Sequence, residues 1–236
     1  MDSIDLSRIN PYTYRKKKIT SEEVLGWFKN EDAYWAYEGE PSPDKPHAEL
    51  TSGVCSDGFF DCLRVLRYPN IAEILGYQAA MRVLPLFSPS NGDWVISSAY
   101  AAITFGHEVA KALGIIFMNT EKDPENPKKQ LWHRMIIPAE ACVLQAEELV
   151  TTSSTFQEVL RAVEEGNEVK PVSHYSPVVA LIHRPPKLSV EYNGRMVVAV
   201  VEKAINNYDP RDCPYCAVGS TRYRPKTHWA ELTGKK

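Results

Sequence analysis

No stretch of this 236-residue sequence runs to eighteen consecutive apolar residues, so nothing in it reads as a membrane-spanning helix. G-x-S-x-G, G-x-x-x-x-G-K-[ST] and G-x-G-x-x-G are all missing, which removes the motifs of serine hydrolases, P-loop NTPases and dinucleotide-binding Rossmann units. An excess of positive charge is also lacking: 27 lysines and arginines face 30 acids, a net charge of −3. A nucleic-acid partner is therefore not expected, and the one basic cluster, Arg15 to Lys18, reads as a solvated segment. The amino terminus, MDSIDLSRIN, lacks a basic-then-apolar pattern, and five cysteines is an odd number. Free thiols and a cytoplasmic location are the expectations. Cys55, Cys62 and Cys142 have apolar or small neighbours and read as packing residues. No internal repeat or low-complexity segment is visible.

What is present is alternation. The length suits one sizeable core, preceded by a polar, irregular extension over 1–46 that ends in the chain-breaking PSPDKP. A capping box in TSEEVLGWFK predicts a helix started by Thr20 or Ser21. HAELTSGVCSDGFFDC predicts turns around short strands. Apolar spacing from Asn70 to Val83 predicts an amphipathic helix. DWVISS, IIFMN, RMII and CVLQA then read as strands, TFGHEVAKAL as a helix closed by Gly114, and Phe156, Val159, Leu160 and Val163 as one face of a helix ending at Gly166. SPVVALIHR and RMVVAVVEKAI add two strands. Strands and helices in this order imply an α/β fold with a mostly parallel central sheet flanked by helices. A domain over 47–210 and a tail over 211–236 carrying a CPYC turn complete the expected organisation.

The most informative stretch is EELVTTSST, 147–155. It follows the apolar CVLQA and precedes a helix, so it falls where open α/β sheets bind ligands, beyond the carboxyl ends of the strands. The helix N-terminus suits a phosphate. Thr151, Thr152, Ser153, Ser154 and Thr155 add hydroxyl donors, while Glu147 and Glu148 suit sugar hydroxyls lying between them and the phosphate. A ribose 5-phosphate fits this loop. The plainer reading of the same residues is a capped helix with a solvated acidic edge.

VLQAEELVTTSST resembles the phosphoribosyl-pyrophosphate signature of type I phosphoribosyltransferases, and other stretches narrow the resemblance to the orotate phosphoribosyltransferases and their relatives. HAELTSGVCSDGFFD (47–61) is similar to the family's LKSGxxSxxF hood segment over the base. DWVISSAYAAITFGHEVAKALG (93–114) is similar to its pyrophosphate loop and helix, with SSAYAAIT in place of GPAYKGIP. FMNTEKDPENPKK (117–129) falls where the family carries a mobile catalytic loop. HRPPKLSVEYNGRMVVAVVEKAI with CPYCAVGS is similar to C-terminal segments of some relatives.

The resemblance implies the type I phosphoribosyltransferase fold with an N-terminal hood. It also implies displacement of pyrophosphate from phosphoribosyl pyrophosphate by a nucleobase, orotate foremost, with Mg²⁺ as cofactor and a homodimer as the assembly. Glu147 and Glu148 would hold the ribose, Thr151 to Thr155 (with Ser153 and Ser154) the 5′-phosphate, and the backbone of Ser98, Ala99 and Tyr100 the pyrophosphate. Lys122, Lys128 or Lys129 would close over the pyrophosphate as catalytic cations, and Phe59 and Phe60 would stack near the base. No side-chain metal ligand is assigned.

The sequence also departs from the pattern. Thr51 and Ala101 replace two family lysines, Ser153 and Ser154 replace a Gly-Gly pair, and Asn119 and Thr120 replace an Arg-Lys pair. An alternative reading follows, a nucleotide-binding regulatory protein of the same fold with weakened turnover. Separately, His47-Ala-Glu49 and Cys213-Pro-Tyr-Cys216 resemble the H-x-E and P-C-x-x-C parts of zinc deaminases. Asp212 stands where the proline belongs, and most of the chain separates the halves. Cys213 and Cys216 read as a reduced turn, with zinc shared with His228 or a second copy as the other option. His107 reads as a packing or surface residue, His133 as a somewhat better functional candidate.

Overall fold

Trp94-Val-Ile-Ser97 and Val143-Leu-Gln-Ala146 can be buried on both sides only in the middle of a layered structure, and that is where they lie. In the computed structural model, which describes residues 4–188 and 191–235, the main sheet has six strands. Their spatial order is Glu191–Tyr192, Arg195–Glu202, Ser173–His183, Cys142–Val150, Trp94–Ser97 and Ile116–Asn119. All neighbours run parallel except the short edge hairpin formed by the first two. The first three residues of MDSIDLSRIN and positions 189–190 of the HRPPKLSVEYNG stretch lie outside the described residues.

The period-two alternation of strands divides the core. Val95, Leu144, Ala146, Val179 and Leu181 face one layer, where the helices Pro69–Val83 and Ala102–Leu113 pack together with Ser21–Asn30. Trp94, Ile96 and Val143 face the other, covered by Val159 and Val163 of the Ser154–Gly166 helix. The extension joins the first layer: Leu6, Ile19, Val24, Trp27 and Phe28 are buried in the same cluster as the sheet residues. Thr20 caps its helix by accepting from the Glu23 N–H, as the capping box predicts. Gly114, at φ +71°, ends the 102–113 helix in the left-handed conformation that a Cβ disfavours.

Two expectations are corrected. RMII, 134–137, is not a strand; it is irregular chain whose Ile137 is tied by its backbone N–H to the Asn167 side chain. And the strand beginning at Cys142 does not stop at Ala146 but continues to Val150. The Trp94–Ser97 strand pairs with it only as far as Ala146; the Ser173–His183 strand, with Ala180 opposite Glu147 and His183 opposite Val150, keeps it in register to its end.

A second, four-stranded sheet roofs the carboxyl end of the main one. Its order is Asn207–Tyr208, Cys55–Ser56, His47–Glu49 and Arg222–Tyr223. Residues from the beginning and the end of the chain are thus hydrogen-bonded into one small platform. Among the described residues no helix is long and apolar enough to cross a membrane.

Candidate functional site

Because Glu147 and Glu148 sit on a strand, their side chains leave opposite faces of the sheet. Glu147 is fully buried; its Oε2 accepts a 2.6 Å hydrogen bond from the Ser98 hydroxyl, and its Oε1 has no partner. Burial, with the neighbouring Glu148 charge adding to it, pushes its carboxyl up to about 8. Glu148 turns the other way, toward the roof, and burial raises its carboxyl too, while Lys122 and Lys226 pull it down. The pair is therefore not the solvated edge of a loop. It is two carboxyl groups, Glu147 fully buried and Glu148 partly so, held by the Cys142–Val150 strand near its carboxyl end.

Glu148 lines a cavity of about 320 Å³ between the sheet end and the roof. Phe59 and Phe60, from the Gly58–Phe60 strand, form one wall with Thr51 and Leu50; Asp61 and Cys62 follow, and Ala101 closes a side. Phe60 is also packed edge-on against Phe28, so its ring position is set by the core. Two cations line this cavity that the sequence reading did not single out, Arg184 and Lys226. Arg184 directly follows the Ser173–His183 strand, held by its own N–H on the Val150 carbonyl. It is only 7% exposed, yet Nε and Nη1 have no hydrogen-bond partner. A buried guanidinium left open is costly, and a planar acceptor such as a carboxylate or a carbonyl pair would satisfy it. An arginine at the carboxyl end of an apolar parallel strand was its one sequence signal. Lys226, in the tail, had none.

The pyrophosphate-loop candidates lie beside this pair. Ser98 and Ala99 are buried at the end of the Trp94–Ser97 strand, and Tyr100 is 73% exposed. The Ala99 N–H points at the Gln130 side chain, 3.5 Å away. Thr120, in the place of a family cation, is instead a buried neutral group hydrogen-bonded to Gln130 at 2.8 Å.

The hydroxyl run lies where expected, at the start of the Ser154–Gly166 helix. Ser153 occupies the N-cap without capping it, so the first-turn N–H groups have no partner within the helix. Ser153 Oγ accepts from Gln157 and Ser154 Oγ pairs with Thr152, which draws both serine side chains into local bonds. The Thr151 carbonyl accepts from the Tyr192 hydroxyl. Thr155 is exposed.

The three candidate lysines separate. Lys122 lies on a two-residue strand, Glu121–Lys122, paired with Gln130–Leu131, and its charge acts on both Glu147 and Glu148. Lys128 and Lys129 are exposed at the far end of that hairpin, with Lys129 acting on Glu158. His133 pairs with Glu121 at 3.7 Å, and His107 with Glu108 at 3.3 Å on an exposed helix face; neither lines the cavity.

Chemically, this end of the sheet offers carboxylates for hydroxyls, an unsatisfied helix N-terminus for an anion, an open guanidinium for a planar acceptor and aromatic walls for a flat ring. No protein-family model matches the chain. Among curated proteins it is similar to the orotate phosphoribosyltransferase of Desulforamulus reducens, 31% identical over 180 residues, 76% of this chain and 87% of the relative. It is also similar to that of Pelotomaculum thermopropionicum, 30% identical over 179 residues, again 76% and 87%. Among solved structures it is similar to the orotate phosphoribosyltransferase from Aeropyrum pernix, 14% identical, covering 75% of this chain and 92% of that one with a TM-score of 0.48.

Proposed function

Because the chain belongs to the orotate phosphoribosyltransferase family, we propose that it transfers ribose 5-phosphate from phosphoribosyl pyrophosphate to orotate. The bond from C1 of the sugar to the pyrophosphate oxygen breaks, a ring nitrogen of the base takes its place at C1, and pyrophosphate leaves. The observation that carries the base assignment is Arg184, a buried guanidinium with two open donors in a cavity walled by Phe59 and Phe60. Orotate is flat and bears a carboxylate and ring carbonyls, the acceptors such a fork holds in plane.

The remaining roles follow from position. Glu148 and Glu147 accept from the ribose hydroxyls on the two faces of the strand end. The first-turn N–H groups of the helix from Ser154, together with the hydroxyls of Thr151 to Thr155, take the 5′-phosphate. Ser98, Ala99 and Tyr100 border the pyrophosphate. Lys122 offsets the charge that grows on the leaving group, and the exposed Lys128 and Lys129 come in as the hairpin closes. Lys226 and Arg184 stand in for the cations lost at Thr51 and Ala101. The carboxylates fit Mg²⁺, an ion that prefers oxygen ligands, since Glu147 has a buried oxygen without a partner. Bound with the donor substrate, the ion would neutralise pyrophosphate charge.

A pyrophosphate-release assay with phosphoribosyl pyrophosphate, Mg²⁺ and a panel of orotate, uracil and adenine tests this. Turnover is expected with orotate. Release with none of the bases would transfer the assignment to the regulatory reading.

A further inference from the structure

Away from the acid pair, the small roof sheet brings together four side chains from distant parts of the sequence: His47, Cys55, Cys213 and Cys216. Their donor atoms all lie within 4.8 Å of one another, and all but Cys216 are buried. His47 Nε2 is 3.6 Å from Cys213 Sγ and 3.4 Å from Cys216 Sγ, and the Cys55 and Cys216 sulfurs are 3.6 Å apart. Tetrahedral zinc, with bonds of about 2.3 Å to sulfur and about 2.0–2.1 Å to nitrogen, requires S···S near ~3.8 Å and N···S near ~3.6 Å. The three separations sit within a few tenths of an ångström of that tetrahedron. A disulfide requires sulfurs about 2.05 Å apart.

The shell behind the histidine fits too. Ser220 Oγ donates its single proton to the Lys45 carbonyl at 2.6 Å, so it accepts from the His47 Nδ1–H at 2.7 Å. That bond fixes the neutral tautomer and leaves the Nε2 lone pair facing the sulfurs, the arrangement that orients a metal-bound imidazole.

We propose that His47, Cys55, Cys213 and Cys216 bind one Zn²⁺ in a closed, structural Cys₃His site. Two readings made from sequence change accordingly. Cys55 is a ligand, not a packing residue, and the fourth partner is His47, since His228 instead bonds Thr227 and stacks on Tyr223. The deaminase-like halves do meet in space. The third thiol closes the shell, however, leaving no position for an activated water, and Glu49 is taken up by Arg224 at 3.0 Å. The ion fastens the tail to the His47–Glu49 and Cys55–Ser56 strands, between which Thr51 lies and after which Phe59 follows, and so places Lys226 over the cavity.

The test is metal analysis of the full chain purified under reducing conditions without chelator. About one zinc per chain is expected, retained in Cys142→Ser, lost in Cys216→Ser, and bound at least tenfold more weakly in Ser220→Ala. Should Cys216→Ser fail to fold, cobalt(II) exchanged into the wild-type protein decides instead. Tetrahedral visible bands with thiolate charge transfer are expected; an octahedral spectrum overturns the site. No zinc and no uptake by the reduced apoprotein, or zinc unaffected by Cys216→Ser, also overturns it.

Discussion

At the carboxyl end of the parallel sheet, Glu147 and Arg184 are buried with polar atoms that have no partner. In the four-stranded roof, buried His47 has a partner on each ring nitrogen, and Ser220 both accepts and donates. Both regions hold buried polar side chains, Glu147 and Arg184 in one and His47 and Ser220 in the other. What differs is completeness. A buried group without a partner costs free energy that an incoming ligand recovers, so the sheet end is organised around something that arrives and leaves. The roof already contains a full set of donors, which is how a permanent structural element is built.

That contrast can be broken most severely at the acid pair. Replacing Glu147 and Glu148 together with glutamine keeps the shape and removes the Glu148 charge and the ionisable Glu147 group, and kcat/KM for phosphoribosyl pyrophosphate should fall by about 10²–10³-fold. Unchanged binding by calorimetry would show that the strand end is not the ribose site.

The second prediction turns the cost of incompleteness into a stability measurement. The Glu147 carboxyl ionises near the ordinary glutamate value of 4.5 in the unfolded chain but only at about 8 in the folded one. Between those values the folded state binds more protons than the unfolded state, so stability is full below about pH 4.5 and is lost as pH rises through 8. Glu147→Gln should therefore stabilise the ligand-free protein at pH 9 relative to pH 5, by roughly 2 kcal/mol once relaxation toward water is allowed for. Denaturant titrations of both proteins at the two pH values read this directly. Equal shifts at both pH values would mean that Glu147 is not held in its neutral form.

The smallest effects separate the lysines. Lys122→Ala should lower kcat by about tenfold, since its charge acts on the carboxylates themselves. Lys128→Ala and Lys129→Ala, which reach the site only when the hairpin closes, should each cost about threefold or less. Steady-state kinetics on the three single variants rank them.

Much of the fold was legible because its signals are local. The capping residue Thr20, the left-handed Gly114, and the alternation through Trp94–Ser97 and Ser173–His183 each depend on a few neighbouring side chains. The position of EELVTTSST between a strand and a helix was legible for the same reason. The reading went astray where continuation depended on a neighbour. Glu147 to Val150 looks like a loop by composition, but the parallel Ser173–His183 strand holds it as strand, and that sends the two acids to opposite faces. RMII looks like a strand but finds no partner in the sheet.

The sequence by itself determined the order of the main strands and helices, the place of the acid pair and hydroxyl run at a strand-to-helix junction, and the family to which the chain belongs. Only the tertiary structure decided which distant residues share a site. Arg184 and Lys226 reach the cavity, and Cys55 meets Cys216, 161 residues away, through strand pairings between the two ends of the chain. Local periodicity records how a segment buries its own faces; it carries no information about which other segment it will meet there.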